Sequence, residues 1–476
     1  MLFNSLLYLV FLAVAVLGSW LLVRMQAWRF AFLLVASCLF YMAWNPVFIL
    51  LILGSTVWDF SVARLMASTP DSARTRRRVL LFASLGMSLS LLCYFKYLNF
   101  FVQNVATGLT ALGLPVSVPL LDIVLPVGIS FYTFQTMSYC IDVYRREIPA
   151  ETSLLRFALF STFFPQLVAG PIVRANLMLP QLHRTPTLSP ADVSEGLFRI
   201  AKGLAKKVVV ADYLAINLVD RVFSNPSVYS SAEIYVGLFA YSMQIYCDFS
   251  GYTDIAIGSA RLLGYRLPEN FDRPYVARTV AEFWRRWHMT LSAWLRHYVF
   301  FPLGGSRGSI WRAHRNTFIT LVLIGLWHGA NWTFVLYGAL HALAIMVNRT
   351  LLRRQGKENA VLAASWPQVV WKVALTLHFV VLARILFRSP DLTSAWTLWQ
   401  SLWSQGLGVA RIDTTTRVIL LGAYAWHFTP VSWLDRLREG FQALPAYAQG
   451  VALALLATGM GAVAETDVVP FIYFQF

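Results

Sequence analysis

Two histidines stand where an imidazole could do acid–base or nucleophilic work. His328 lies in the apolar run "IGLWHGANWT", Ile324–Thr333, between Trp327 and Gly329. His288 lies in "EFWRRWHMTLSAWLRHYVF", directly after Arg285, Arg286 and Trp287. An imidazole has an unperturbed pKa near about 6.5, so burial can keep it neutral and basic at working pH. It can then accept or donate a proton at a reacting group, or act as a nucleophile itself. Ionisable side chains in apolar segments are costly, which makes each a candidate for function. Bland readings compete with both. His328 could be a neutral core histidine bonded to a neighbouring helix, and the His288 stretch an interfacial helix with aromatic anchors and arginines on headgroups.

The neighbours add chemistry. Gly329 allows a close approach to the backbone, Asn331 offers a donor and an acceptor, and Trp327 and Trp332 supply flat walls. If the His288 stretch is one helix, Trp284, Trp287, His288 and Leu291 share a face. Arg285 and Arg286 then form a positively charged vestibule suited to an anionic, phosphate-bearing donor. Asp248 and Asp254 lie six apart in "CDFSGYTDIAIGSARLLGY", with Gly251 expected to break the helix between them. They do not read as a paired general acid and base; either one orients a cation or both are structural. No metal-ligand spacing, P-loop or GxSxG elbow occurs, so no metal is expected. Cys38, Cys93, Cys140 and Cys247 are scattered and read as small apolar core residues. His183, His314, His378 and His427 read as structural or surface residues.

The elements that must hold these groups are membrane helices. Of the 476 residues, 58% are hydrophobic and 13% charged, against about 25% charged in soluble domains. So little charge cannot cover a globular surface of this size. Apolar runs cover roughly 3–23, 30–43, 46–63, 79–95, 120–141, 230–247, 317–336, 337–348, 367–387, 415–431 and 448–464. The first, without a basic leader or a clean cleavage site, reads as a retained span. With no period-2 barrel pattern and no internal repeat, the expected architecture is an all-α polytopic bundle forming a single domain, 1–476. From about residue 155 to 315 the runs are interrupted by "FFPQLVAGPIVR" and by "RPYVARTVAEFWRRWHMTLSAWLRHYVFFPLGGSRGS". That pattern predicts re-entrant or interfacial segments around a central cavity, with a catalytic core over about 150–345. "AKGLAKKVVV", Ala201–Val210, is expected at the cytosolic interface.

The net charge of +16 would suggest nucleic acid in a soluble chain. Here it follows the positive-inside rule. Arg24 and Arg29 follow the first run; Arg64, Arg74, Arg76, Arg77 and Arg78 follow the third; Tyr97–Leu120 has neither Lys nor Arg. The N-terminus is therefore expected outside, the Arg64–Arg78 loop in the cytosol and Tyr97–Leu120 outside.

At these residues the chain resembles the membrane-bound O-acyltransferase family. The matching stretches are "LPVGISFYTFQTMSYCIDVYR" (Leu125–Arg145), "FPQLVAGPIVR" (Phe164–Arg174), "QIYCDFSGYTDIAIG" (Gln244–Gly258), "EFWRRWHMTLSAWLR" (Glu282–Arg296), "LGGSRGS" (Leu303–Ser309), "GLWHGANWTFVLYGALH" (Gly325–His341) and the closing "FIYFQF". The likeness is to the bacterial branch that includes the alginate O-acetyltransferase membrane subunit and the teichoic-acid D-alanylation protein. It implies a funnel or tunnel with histidines near its narrow part, His328 catalytic and His288 a second functional histidine. It also implies acetyl-CoA as donor substrate without a separate cofactor, and a secreted polysaccharide as acceptor. It further implies a periplasmic esterase-like partner that completes transfer, and a seat in the bacterial inner membrane. "WLRHY" carries His297 where the alginate pattern has Asp, which leaves cellulose-type acceptors open beside alginate. A transporter or channel with a buried histidine is the main alternative, and a lipid-binding scaffold another. A transporter suits the lack of repeat symmetry poorly, and a scaffold does not explain His328.

Overall fold

A computed structural model describes residues 1–114, 116, 118–168, 170–356, 365–464 and 470–472. Tyr473–Phe476 of the closing motif, and Ala169 of the Phe164–Arg174 stretch, lie outside the described residues. Among the described residues all regular structure is helical, and five helices are long and apolar enough to cross a membrane. They are Pro46–Ser68, Arg74–Ala111, Trp332–Arg354, Trp366–Arg388 and Ala446–Val463. The chain divides into two compact units, Met1–Val193 with Ser259–Pro268, and Ser194–Gly258 with Glu269–Phe476. The core anticipated over about 150–345 therefore draws on both.

In the first unit, Asn45 caps the helix that begins at Pro46, its side chain accepting from the Val47 amide at 3.0 Å. Arg74–Ala111 is one 38-residue helix with a π turn at Cys93–Tyr97. The expected outer loop thus starts as helix and becomes irregular only past Ala111. There Asn99 clasps Leu121, donating to its carbonyl at 2.8 Å and accepting from its amide at 3.1 Å. The span expected over 120–141 begins late. The chain stays irregular to Pro126, and Gly128 adopts a left-handed φ of +75° before the helix Ile129–Tyr144. A Cβ on Gly128 would lie 2.7 Å from the Leu167 carbonyl oxygen. Arg29, expected as a cytosolic charge, is instead fully buried. It donates to Ser19 at 2.8 Å, to the Tyr265 hydroxyl at 3.1 Å and to the Leu263 carbonyl at 2.6 Å.

In the second unit, the helix Ser231–Leu262 runs unbroken for 32 residues through Gly251. Gly251 is a packing glycine, not a breaker. A Cβ there would meet the Gly203 carbonyl at 2.7 Å, and one on Gly258 the Gly196 carbonyl at 2.6 Å. Small residues let two backbones approach closely. This contact brings the lysines of "AKGLAKKVVV" to the aspartates. Lys207 is buried and pairs with Asp212 at 2.6 Å and Asp248 at 2.7 Å. Asp254 gathers Arg199 at 3.0 Å, Lys202 at 2.9 Å and Lys206 at 2.9 Å. These cations are committed to carboxylates within the same unit. Near the end of the chain, the buried Phe471 and Ile472 return to this helix, the Ile472 amide donating to Asp248 at 2.8 Å.

Candidate active site

His328 is the last residue of the helix Ile310–His328, not the middle of a longer span. Gly329 is extended at φ −163°, and the next helix, Trp332–Arg354, starts three residues later. Asn331 caps it, accepting from the Thr333 amide at 3.0 Å and donating to the Pro390 carbonyl at 2.6 Å. The fold therefore uses both ends of the Asn331 amide. A three-residue corner between antiparallel helices needs close packing. A Cβ on Gly325 would run into the Phe334 carbonyl, and one on Gly338 into the Leu321 carbonyl. The group that approaches Gly329 is the Phe334 ring.

His288 is held differently. The helix Val280–Arg286 stops, Trp287 is extended, His288 takes a left-handed φ of +43°, and a second helix, Met289–Leu295, begins. The single amphipathic helix expected here is thus broken at His288. Asn270 makes the break. Its backbone carbonyl accepts from the Met289 amide at 2.9 Å. Its Oδ1 accepts from the Thr290 amide at 3.2 Å and hydroxyl at 2.9 Å, and lies 3.1 Å from Nδ1 of His288. A backbone N–H can only donate, so this Asn270 atom is the oxygen and His288 Nδ1 carries the proton. Nε2 then holds the basic lone pair. Burial disfavours the charged form and pushes the His288 imidazole below the ordinary histidine range.

The two imidazoles are 0% and 2% exposed, with ring centroids 6.5 Å apart. Trp327 stands edgewise to both, 5.4 Å from His288 and 5.0 Å from His328. Phe249 edges His288 at 4.8 Å and Phe387 edges His328 at 5.1 Å. Trp327 thus contacts both imidazoles, whereas Trp332 is half exposed. Arg286 binds Asp272 at 2.8 Å and Glu282 at 3.0 Å, and Arg285 is exposed.

Two cavities with no lining residue in common are lined by chain neighbours of the pair, with neither histidine among their lining residues. One, of about 470 Å³, is lined by Phe271 and by Met289, the residue after His288. Its charged wall is Arg199, Lys202, Lys206, Arg273 and Arg438, balanced by an equal number of carboxylates, with neither Arg285 nor Arg286 among its residues. This cavity is therefore of mixed sign. The second cavity, about 620 Å³, is lined by Gly329, Asn331, Phe334 and Phe387 beside His328. Sequence reasoning missed Asn270, Phe249, Phe387 and Arg384. Only Arg384 carried a usable signal, as a charge inside an apolar run.

The description "membrane-bound O-acyltransferase family" matches residues 143–387. The chain is 40% identical to the probable alginate O-acetylase AlgI of Pseudomonas aeruginosa, over 80% of this chain and 71% of the relative. It is 34% identical to that of Azotobacter vinelandii over 94% and 95%. It is 35% identical to the peptidoglycan O-acetyltransferase of Helicobacter pylori over 83% and 78%. With a family match over half its length and such relatives over most of it, this multi-pass membrane protein belongs to the membrane-bound O-acyltransferase family and is an acyltransferase.

Proposed function

We propose that this protein moves an acetyl group from cytosolic acetyl-CoA towards a hydroxyl of a secreted polysaccharide of alginate or cellulose type. It would sit in the inner membrane with its N-terminus in the periplasm, working with a periplasmic esterase-like partner. The observation that carries the reading is the buried imidazole pair, 6.5 Å apart, with Met289 after His288 and Gly329 after His328 lining two separate cavities. A donor entering beside Met289 would bring its thioester to His288, and a hydroxyl entering beside Gly329 would reach His328. His328 takes the hydroxyl proton as that oxygen attacks the thioester carbonyl; the carbon–sulfur bond breaks and the thiolate receives the proton. General-base help of this kind is worth about 10²–10⁴-fold. Attack by the imidazole itself, through an acetyl-histidine, uses the same geometry. No step needs a metal or a resident cofactor. The relatives' names, which concern O-acetylation of alginate and of peptidoglycan, support a glycan acceptor.

The test is purified protein in detergent with radiolabelled acetyl-CoA and an acceptor oligosaccharide. Transfer of label with release of free CoA is expected. Ion flux in liposomes without CoA release would return the protein to the transporter reading.

A further inference from the structure

Arg384 lies inside the candidate span Trp366–Arg388 and is fully buried. A guanidinium does not deprotonate in proteins, so this is a permanent charge within a membrane segment. Such charges are rare and mark function more often than packing. Its surroundings are aromatic. The guanidinium carbon lies 4.6 Å from the Trp287 ring centroid, 5.2 Å from Phe387 and 5.9 Å from Tyr337. Nη1 also donates to the Tyr337 hydroxyl at 3.4 Å.

The identity of these partners matters more than their number. Trp287 is the extended residue that leads into the left-handed turn at His288. Phe387 lies three residues beyond Arg384 on the same helix and edges His328 at 5.1 Å. One planar cation therefore touches the immediate neighbour of each imidazole. We propose that Arg384 is a positioning residue for acyl transfer. Through Trp287 and Phe387 it sets the separation of His288 and His328. The inference rests on the reading of those two histidines as the reacting pair. Stacking needs the guanidinium plane, which the ammonium of lysine lacks. Charge alone should not rescue the role.

The experiment uses full-length protein in nanodiscs carrying 5-fluorotryptophan, with the Trp287 fluorine resonance assigned by its loss in Trp287→Phe. Arg384→Lys keeps the charge, and Arg384→Met removes it without demanding compensation; between them a folded variant is secured. In both, the Trp287 resonance should shift or broaden while that of Trp366, at the other end of the helix that carries Arg384, holds. With acetyl-CoA and an acceptor oligosaccharide, kcat should fall at least tenfold while KM for acetyl-CoA stays within threefold. The share of acetyl-CoA lost to water, relative to transfer, should rise severalfold as the imidazole gap loosens. An unmoved Trp287 resonance, or a wild-type kcat in Arg384→Lys, overturns the proposal. If the wild type turned over no acetyl-CoA, the acetyl-transfer reading would fall. The Trp287 resonance would then decide separately whether Arg384 holds the bracket.

Discussion

At the scale of single residues, the site depends on two imidazoles with different supports. His328 is held by aromatic edges and by the end of its helix, His288 by a hydrogen bond that fixes its tautomer. His328→Asn keeps one hydrogen-bonding group but cannot accept a proton near neutral pH. The variant should reach the membrane at normal levels, bind acetyl-CoA and leave the polymer unacetylated; substantial acetylation would return His328 to the role of core histidine. His288→Gln should likewise cut acetylation at least tenfold at normal protein level, and normal acetylation would make His288 a structural residue. Asn270→Ala tests the support. It removes the acceptor that orients Nδ1 and leaves Thr290 to find another partner, at a cost of about 1–3 kcal/mol. Activity should fall with a melting temperature lowered by only a few degrees. Both histidines were singled out in the sequence, His328 because it interrupts an apolar run and His288 because it lies in a stretch rich in Trp and Arg. Asn270 was not, since nothing in "LPENFDRP" separates an amide that clamps a distant turn from one that faces solvent.

At the scale of elements, the lesson is that glycine has two uses and local sequence does not say which. Gly251 reads as a helix breaker but allows the close contact with Gly203, which in turn brings Lys207 to Asp248. The break that does occur, at Trp287–His288, contains neither Gly nor Pro and is imposed by Asn270 from outside the segment. Propensity could not reveal it, because a tertiary contact overrides it. The helical hairpin that ends at His328 offers a direct test. Gly325 lies one turn before His328 and faces the Phe334 carbonyl. Gly325→Ala adds a methyl where backbone must yield, and overpacking of this kind costs about 1–3 kcal/mol. The two helices should part by a fraction of an ångström and carry His328 with them. Acetylation should drop at least tenfold while thermal stability falls modestly. Equal activity in Gly325→Ala would mean that the imidazole is not positioned by this packing.

At the scale of the whole molecule, the proposed use of cytosolic acetyl-CoA requires one direction of membrane crossing, with the donor side facing the cytosol. The helix Arg74–Ala111 decides it most simply. Its 38 residues rise roughly 57 Å at about 1.5 Å each, nearly twice a hydrocarbon core of about 30 Å. One end must therefore project well beyond the bilayer unless the helix tilts steeply. Arg74, Arg76, Arg77 and Arg78 crowd the first turns, and the positive-inside rule places them in the cytosol. The projecting end, with Leu112 exposed just past it, should then stand in the periplasm, where a polysaccharide-modifying partner would meet it. Single cysteines test this in a background lacking Cys38, Cys93, Cys140 and Cys247. Leu112→Cys should react with a membrane-impermeant thiol reagent in intact cells. Ser72→Cys, exposed in the turn before the helix, should react only after the membrane is permeabilised. The opposite pattern would put the arginines outside and leave acetyl-CoA on the wrong face, and the acetyl-transfer direction proposed for this protein would have to be reversed.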